Sequence, residues 1–150
     1  MIAVLQRVSR ASVSVDGEVV GKCEKGLAIL LGVADGDLEK DAEVLAEKIS
    51  KLRIFTDEND KMNLSVMDID GEALVISNFT LLANYAHGNR PDYMSAAKPS
   101  EANRLYEYFC DRLSQKLKSV EMGVFGADMA VEISNDGPVT IVMDSKILVK

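Results

Sequence analysis

The chain has 150 residues, of which 47% are hydrophobic and 27% are charged, a composition ordinary for a globular protein. This length predicts a single domain over residues 1–150 with a substantial core. With 24 acidic against 17 basic side chains, the net charge is −7. That charge argues against nonspecific nucleic-acid binding through bulk electrostatics, but not against a local basic patch.

The sequence gives no sign of a targeting segment or of cross-links. No apolar run approaches the roughly 20 residues that span a bilayer. The opening MIAVLQRVSRA lacks a basic leader before a long apolar core, so no signal peptide is predicted. Cys23 and Cys110 are isolated and lack metal-ligand spacing. We therefore expect no disulfide framework and a cytoplasmic location, where thiols stay reduced.

The first third of the chain predicts strands. Residues 2–8 predict a first strand, and residues 12–15 alternate polar and apolar, as do the residues after Glu18. Between them, Asp16-Gly17 predicts a two-residue hairpin, because both positions tolerate a positive φ. The wholly apolar run from Gly26 to Val33 predicts a central strand.

A helix is predicted next, with Asp37 as its N-cap. Its apolar residues recur in steps of three and four, which places them on one buried face. They are Leu38, Ala42, Leu45, Ile49 and Leu52. The segment 53–55 then reads as extended, residues 56–61 form a charged turn, and a short loop ends at Gly71.

A second helix is predicted after Lys98, with Ser100 as its N-cap. Its buried face is marked by Ala102, Leu105, Phe109, Leu113 and Leu117. Residues 129–134 and 139–143 predict two further strands, interrupted at 135–138. The order of elements indicates an α+β domain with a largely β core and helices on one side.

Between the helices, a buried strand is predicted to end in a polar cluster. The apolar run 73–76 suits a strand buried on both faces. It is followed by the cluster Ser77–Thr80 and then by a loop with glycine and proline, from Asn84 to Pro91. A polar cluster at this position is common in functional sites. Alternatively, the Ser77 and Thr80 hydroxyls only satisfy nearby backbone groups.

Several common catalytic arrangements are missing from the sequence. There is no glycine-rich phosphate loop and no GxSxG nucleophile motif. One histidine and two scattered cysteines do not build a zinc site, and a serine triad would need His87 from a predicted loop. Besides Ser77–Thr80, one unusual feature remains, the Gly137-Pro138 pair between predicted strands. It is either a plain turn or, with a cis bond, a rigid steric wall.

Short motifs along nearly the whole chain resemble one family. They are AVLQRV from Ala3, GL from Gly26, LRIF from Leu52, MNLS from Met62, FTL from Phe79, GNRP from Gly88, FGADM from Phe125 and NDGPVT from Asn135. Each motif alone is weak, but in this order and spacing they resemble the D-aminoacyl-tRNA deacylases, the D-tyrosyl-tRNA(Tyr) deacylase family. These enzymes remove D-amino acids from mischarged tRNA.

The resemblance implies a fold, a partner and a way of reading chirality. The implied fold is α+β, a barrel-like, largely antiparallel β-sheet with two main helices packed outside. The implied assembly is a homodimer that acts on the 3′ end of aminoacylated tRNA without a metal or cofactor. Gly137 and Pro138 correspond to a Gly-cisPro motif that reaches into the partner's site. There it excludes L side chains, so that glycyl-tRNA is a second expected substrate.

The resemblance also assigns site residues. The family's Ser-Gln-Phe-Thr signature falls on Ser77, Asn78, Phe79 and Thr80, with Asn78 where the family usually has Gln. The shorter amide is expected to miss a contact near the scissile ester. Phe125, Met129 and Arg90 are assigned to the pocket or the tRNA 3′ end. His87 stands where a Lys or Arg is expected, which weakens a predicted phosphate contact.

Two mechanisms are open at this point. In one, Thr80 is a nucleophile, although the sequence offers no obvious base to activate it. In the other, which we favour, backbone N–H groups near Phe79 and Thr80 stabilise the oxyanion and the ribose 2′-hydroxyl of the tRNA helps to activate water. Two other classes of function also remain open. They are a non-catalytic dimeric module that binds tRNA or a small molecule, and an esterase for other small acyl esters.

Overall fold

The structure is a computed structural model, and it describes residues 1–149. Its strands are β1 (Ile2–Val15), β2 (Glu18–Cys23), β3 (Gly26–Gly32), β4 (Phe55–Thr56), β5 (Met62–Leu64), β6 (Glu72–Ser77), β7 (Val120–Met122) and β8 (Ala130–Asp144). Its helices are α1 (Glu39–Lys51), α2 (Pro99–Ser114) and α3 (Ser145–Leu148), with a 3₁₀ helix at Phe79–Leu82. Over these 149 residues, no helix has the length and apolar character needed to cross a membrane.

Six of the strands form one strongly curved sheet. Five of them run in the order β2-β1-β3-β6-β7, and β8 pairs with the opposite edge of β1. The β3–β6 and β6–β7 pairs are parallel, whereas the three pairs that involve β1 are antiparallel. The sheet nearly closes where β2 meets β7, since a Cβ on Gly21 would lie 2.5 Å from the Met122 carbonyl oxygen. The predicted barrel-like α+β fold is confirmed, with a mixed sheet.

The curved sheet buries apolar side chains on both faces. On β6, Ala73 and Val75 face the core shared with α1 and α2, while Leu74 and Ile76 face the cluster inside the barrel. All four are at most 3% exposed. The interpretation of this run as a strand buried on both faces is confirmed, and its parallel neighbours explain why it shows no polar alternation.

Two strands are longer than the sequence indicated. β1 is one strand from Ile2 to Val15, although its exposed residues Ser9 and Arg10 break the apolar pattern. The predicted hairpin at Asp16-Gly17 is confirmed, with φ of 51° and 81°. The predicted interruption of the strands at 135–138 is wrong. Strand β8 continues through these residues, with two shifts in its register against β1. The Gly137-Pro138 peptide bond within this irregular stretch is cis.

Both predicted N-caps are wrong. The Asp37 carboxylate instead accepts the Ala34 N–H at 2.7 Å and pairs with the Met1 amine at 2.8 Å. The N-cap of α1 is Leu38, and the carboxylate of Asp41 accepts its N–H at 2.9 Å. That position leaves Leu38 exposed, so it does not belong to the buried stripe.

The second helix begins one residue before Ser100. Pro99 is its first residue and Lys98 its N-cap, because a proline lacks the N–H that would be unsatisfied at this position. The predicted buried face is confirmed, since all five of its residues are at most 8% exposed. Its last member, Leu117, lies beyond the end of α2 at Ser114.

A buried polar contact ties the C-terminal segment to α1. Ser145 donates from its hydroxyl to Asp41 Oδ1 at 2.5 Å. Burial is the largest single influence on the pKa of Asp41 and raises it. The hydrogen bonds from Ser145 and Leu38, together with the Met1 ammonium, outweigh burial and leave the pKa below its usual range. The ionised carboxylate is therefore part of the stable fold.

We expect Ser145→Ala to lower the free energy of unfolding at pH 7 by at least about 1.5–3 kcal/mol, because it removes the hydrogen bond to the Asp41 carboxylate and the one accepted from the Met1 ammonium. A carboxyl whose pKa is depressed by folding stabilises the protein above its unfolded pKa of about 3.9 and loses that effect as the pH falls through the folded pKa. Urea unfolding at pH 7 and at low pH should therefore show the deficit shrinking below about pH 4. Ser114→Ala is the control, since that hydroxyl is exposed. If the loss of stability in Ser145→Ala does not depend on pH, the ionised Asp41 carboxylate does not have the stabilising role given to it here.

Candidate active site

The polar cluster begins where β6 ends, beside the end of its parallel neighbour β3. Ser77 is the last residue of β6, and the Asn78 N–H donates to the Leu31 carbonyl at 2.8 Å. The chain then turns into the 3₁₀ helix over Gly32. A Cβ there would lie 2.5 Å from Leu82 Cδ2 and 3.0 Å from the Asn78 carbonyl oxygen. The glycine thus allows the cluster to lie directly on the end of β3.

Phe79 and Thr80 of the cluster are exposed to solvent, whereas Ser77 and Asn78 are half-buried. Thr80 Oγ1 donates to Asn78 Oδ1 at 2.5 Å. The Phe79 side chain is 58% exposed, and its ring meets the Tyr93 ring edge-on with centroids 5.0 Å apart. Within the described part of the chain, the N–H groups of Phe79 and Thr80 have no hydrogen-bond acceptor. Two backbone donors without an acceptor therefore belong to adjacent exposed residues, next to a hydroxyl and an aromatic ring.

Phe125 and Met129 lie at the same end of the sheet. The connection that carries them starts at Gly123, whose N–H donates to the Val75 carbonyl at 3.2 Å. Met129 Sδ packs against Gly123, 2.6 Å from where a Cβ would stand. The Phe125 ring lies 6.0 Å from the ring of Tyr106. Both residues are half-buried and form part of the wall beside the end of β6.

Tyr106 supports this region from below, although the sequence did not predict it on the buried face of its helix. Its hydroxyl donates to the Val75 carbonyl at 2.7 Å, two residues before Ser77. Burial is the main cause that raises the pKa of Tyr106 well above its usual range. The group thus stays a neutral donor that holds the end of β6 in place.

Arg90 and His87 lie on an exposed loop. Asn84 and Asp92 close that loop through two backbone hydrogen bonds of 2.8 and 2.9 Å. Among residues 1–149, neither the Arg90 nor the His87 side chain makes a hydrogen bond or ion pair with the Ser77–Thr80 cluster. The structure thus shows no direct polar contact between these two residues and the cluster.

The Gly137-Pro138 pair is also separate from the cluster of its own chain. Ser77 shares a row of the sheet with Leu31 and Ala3, whereas the irregular part of β8 lies beside Arg7. These rows are about 13 Å apart along the strands, and β6 and β8 are about 14 Å apart across the sheet. The structure therefore does not bring the two predicted halves of the site together within one chain.

Arg7 holds the Gly137-Pro138 segment in place. Its Nε donates to the Asp136 carbonyl at 3.0 Å and lies 3.3 Å from the Asp136 carboxylate. Its Nη1 donates to the Ile54 carbonyl at 2.8 Å. In the sequence, Arg7 is a charged residue within an apolar strand and belongs to the AVLQRV motif. Its partner on β8 is 129 positions away.

The cysteines do not supply a nucleophile. Burial raises the pKa of Cys23 to about 11 and that of Cys110 to about 12, so both thiols stay protonated near neutral pH. Within the described residues, no three His, Cys, Asp or Glu side chains gather in a metal-binding arrangement.

Comparisons with known proteins identify the class of protein. The family model for D-Tyr-tRNA(Tyr) deacylase matches residues 4–144. A D-aminoacyl-tRNA deacylase of Caldicellulosiruptor saccharolyticus is 60% identical over 97% of this chain and 98% of its own length. One of Persephonella marina is 57% identical over 99% of this chain and 100% of its own. The sequence and the fold thus point to a hydrolase of the ester bond in aminoacyl-tRNA.

Solved structures agree on the fold. The structure of a c-Myc DNA unwinding element binding protein has a TM-score of 0.91 and 41% identity, covering 96% of this chain and 98% of that one. A probable eukaryotic D-amino acid tRNA deacylase has a TM-score of 0.82 at 15% identity, covering 95% and 98%, which supports the fold alone. The chain belongs to the D-Tyr-tRNA(Tyr) deacylase family and is a D-aminoacyl-tRNA deacylase. The predicted family and enzyme class are confirmed.

Proposed function

We propose that the scissile ester of D-aminoacyl-tRNA binds over the cluster Ser77–Thr80. The backbone N–H groups of Phe79 and Thr80 then stabilise the oxyanion of the tetrahedral intermediate. The observation that supports this most directly is that Phe79 and Thr80 are exposed residues whose N–H groups lack an acceptor within residues 1–149. Donors that are fixed before the reaction lower the barrier because they need no reorganisation when charge develops. Phe125 and Met129 form the neighbouring wall for the substrate.

The attacking nucleophile in this proposal is water, and Thr80 is a positioning residue. A threonine hydroxyl needs a base to become a nucleophile. In the described chain, the Thr80 hydroxyl donates to the Asn78 amide oxygen, which is not a base, and His87 lies on the exposed loop. The ribose 2′-hydroxyl next to the ester is then the nearest group of the substrate that can orient and polarise the water.

We expect Thr80→Ala to lower the single-turnover rate on D-tyrosyl-tRNA by no more than about tenfold, because one neutral hydrogen bond contributes about 1 kcal/mol. Loss of a true nucleophile has a far larger cost, on the order of 10⁶-fold. Thr80→Ser is the control, since it keeps the hydroxyl. Mass spectrometry of the quenched reaction checks for an acyl-enzyme. A collapse of activity in the alanine variant alone, or an acyl group on Thr80, would refute the water mechanism.

The active assembly in this proposal is a homodimer in which Gly137 and Pro138 of one chain reach the site of the other. Two observations support it. The segment lies far from the cluster of its own chain along and across the sheet. Within residues 1–149, β8 pairs only with β1, so its second edge is open over the whole strand, and Val142 on it is 69% exposed. A long open edge of this kind favours pairing with another chain.

The partner's Gly137-Pro138 segment discriminates by exclusion in this proposal. A fixed backbone leaves room for the α-hydrogen but not for the side chain of an L-amino acid, so L esters do not reach the oxyanion donors. Glycine has no side chain to exclude, and mischarged glycyl-tRNA is therefore a second substrate. We further propose that residues 1–150 form one deacylase domain, and that it acts in the cytoplasm on the tRNA 3′ end.

A further inference from the structure

A wide groove of about 960 Å³ lies along the helices α1 and α2, and its lining includes no residue of the Ser77–Thr80 cluster. Its floor and rim come mainly from one face of α1, where residues recur in steps of three and four, and from the end of α2. Six basic side chains line it: Lys40, Lys48, Lys51, Arg53, Arg112 and Lys116. We call this surface the cationic groove.

The charge of the cationic groove is opposite to that of the chain. Among residues 1–149, its lining includes six Lys and Arg side chains but only two Asp and Glu side chains, in a protein with a net charge of −7. One of the two acids, Glu47, pairs with both Lys51 and Lys116. The other, Glu43, lies 3.6 Å from Lys40. The two acids therefore leave an excess of positive charge in the groove.

Two basic side chains of the groove, Lys48 and Arg112, are not fully paired with acceptors of the protein. Among the described residues, Lys48 is in no ion pair and is exposed to solvent. The Arg112 guanidinium lies over the Tyr108 ring at 5.2 Å, and its buried Nε–H has no acceptor among residues 1–149. The nearest carboxylate oxygen, from Asp111, is 3.7 Å away. A fixed guanidinium with unused donors suits recognition of phosphate groups.

The groove starts at the end of the molecule that carries the candidate active site. Helix α1 follows β3, whose last residues lie beside Asn78. Helix α2 begins just after Ala97, whose N–H donates to the Val33 carbonyl at 2.9 Å. Both helices therefore run away from that edge, and α1 is about 20 Å long. A nucleic acid with its 3′ end in the site has several backbone phosphates within reach of such a length.

We propose that the cationic groove binds the phosphate backbone of the tRNA body while its aminoacylated 3′ end is in the site. This inference rests on the deacylase activity and adds the surface that receives the rest of the substrate. Positive side chains that contact phosphates strengthen binding and make it dependent on salt. An acidic chain can then bind one nucleic acid productively without attracting nucleic acids over its whole surface.

The first test compares a triple variant of the α1 lysines, Lys40→Gln/Lys48→Gln/Lys51→Gln, with a control triple outside the groove, Lys25→Gln/Lys61→Gln/Lys118→Gln. The net charge changes equally in both. We expect the groove variant to raise KM for D-tyrosyl-tRNA by about tenfold or more, with kcat retained. The slope of log kcat/KM against log salt should fall by about 2 to 3. The control should change KM less than about threefold.

The D-tyrosyl ester of adenosine distinguishes the groove from the site. It contains the reacting bond but no tRNA body, so the groove variant should cleave it at the wild-type rate. If the wild-type enzyme cleaves neither this ester nor D-tyrosyl-tRNA, the result contradicts the proposed active site instead. Unchanged KM for tRNA, equal losses on both substrates, or equal losses in the control triple would each overturn the groove proposal.

A second measurement uses the unmodified chain. Uncharged tRNA should protect Lys48 and Lys51 from acetylation by a water-soluble reagent, as read by mass spectrometry, and should leave Lys25 and Lys61 reactive. Equal reactivity with and without tRNA would refute the proposal. Protection that depends only on the protein concentration would also refute it, because the groove would then be covered by a second copy of the chain.

Discussion

Phe79→Pro should reduce the single-turnover rate on D-tyrosyl-tRNA by about 10²–10³-fold relative to Phe79→Ala, because it removes one of the two proposed oxyanion donors. Both variants lose the ring and its contact with Tyr93. Only the proline variant also loses the backbone N–H, so their ratio isolates that donor.

The backbone at this position accepts proline. Phe79 is the first residue of the 3₁₀ helix, where a missing N–H breaks no internal hydrogen bond. Asn78 before it is extended, with φ −148° and ψ 90°, and so lies outside the α region that is disfavoured for a residue preceding proline. Thermal unfolding should therefore be similar for the two variants. If both retain equal rates, within about threefold, the N–H of Phe79 has no role in stabilising the oxyanion.

Gly137→Ala should weaken the discrimination between D and L esters by at least about tenfold, with most of the activity on the D ester retained. Gly137 has φ +139°, a conformation that L residues rarely adopt. A Cβ there would lie 2.7 Å from the Val139 nitrogen and 2.9 Å from its Cγ2. The segment must therefore shift, and a shifted wall no longer excludes the L side chain. The assay is the ratio of kcat/KM for D-tyrosyl-tRNA and L-tyrosyl-tRNA.

Gly17→Ala is the matched control for this prediction. Gly17 also has a positive φ, +81°, but a Cβ there would meet no atom within 4 Å, and the hairpin is remote from the site. Its cost should be backbone strain of about 1–3 kcal/mol in stability, without a change in the D to L ratio. A Gly137→Ala enzyme that still rejects the L ester as the wild type does would show that this segment is not the filter.

The sequence predicted the elements whose signals are local. The helix α1 followed from its apolar period, the hairpin from Asp16-Gly17, and the buried strand from the run 73–76. Signals that depend on distant partners were missed or misinterpreted. Asp37 is of a residue type that often caps helices, but its carboxylate forms an ion pair with the Met1 amine instead. The strand β7 has only three residues, too few to show a period.

Only those parts of the site that depend on local sequence were predicted. The cluster Ser77–Thr80 is contiguous, so the sequence could indicate it. The role of Arg7 could not be predicted because its contacts at Ile54 and Asp136 are 47 and 129 positions away. The cationic groove was missed because its lysines and arginines come from two segments about 60 residues apart, at 40–53 and 112–116, in a chain whose total charge is negative.

The most direct test of the account mixes subunits, because the central claim is that each site uses the partner's Gly137-Pro138 segment. The Gly137→Ala chain has an intact oxyanion site, and the Phe79→Pro chain has an intact filter. After the Gly137→Ala enzyme is mixed and re-equilibrated with excess Phe79→Pro chain, its cleavage of L-tyrosyl-tRNA should fall toward the wild-type level while cleavage of D-tyrosyl-tRNA remains. If cleavage of the L ester per Gly137→Ala chain is unchanged by mixing, the filter does not act across a dimer.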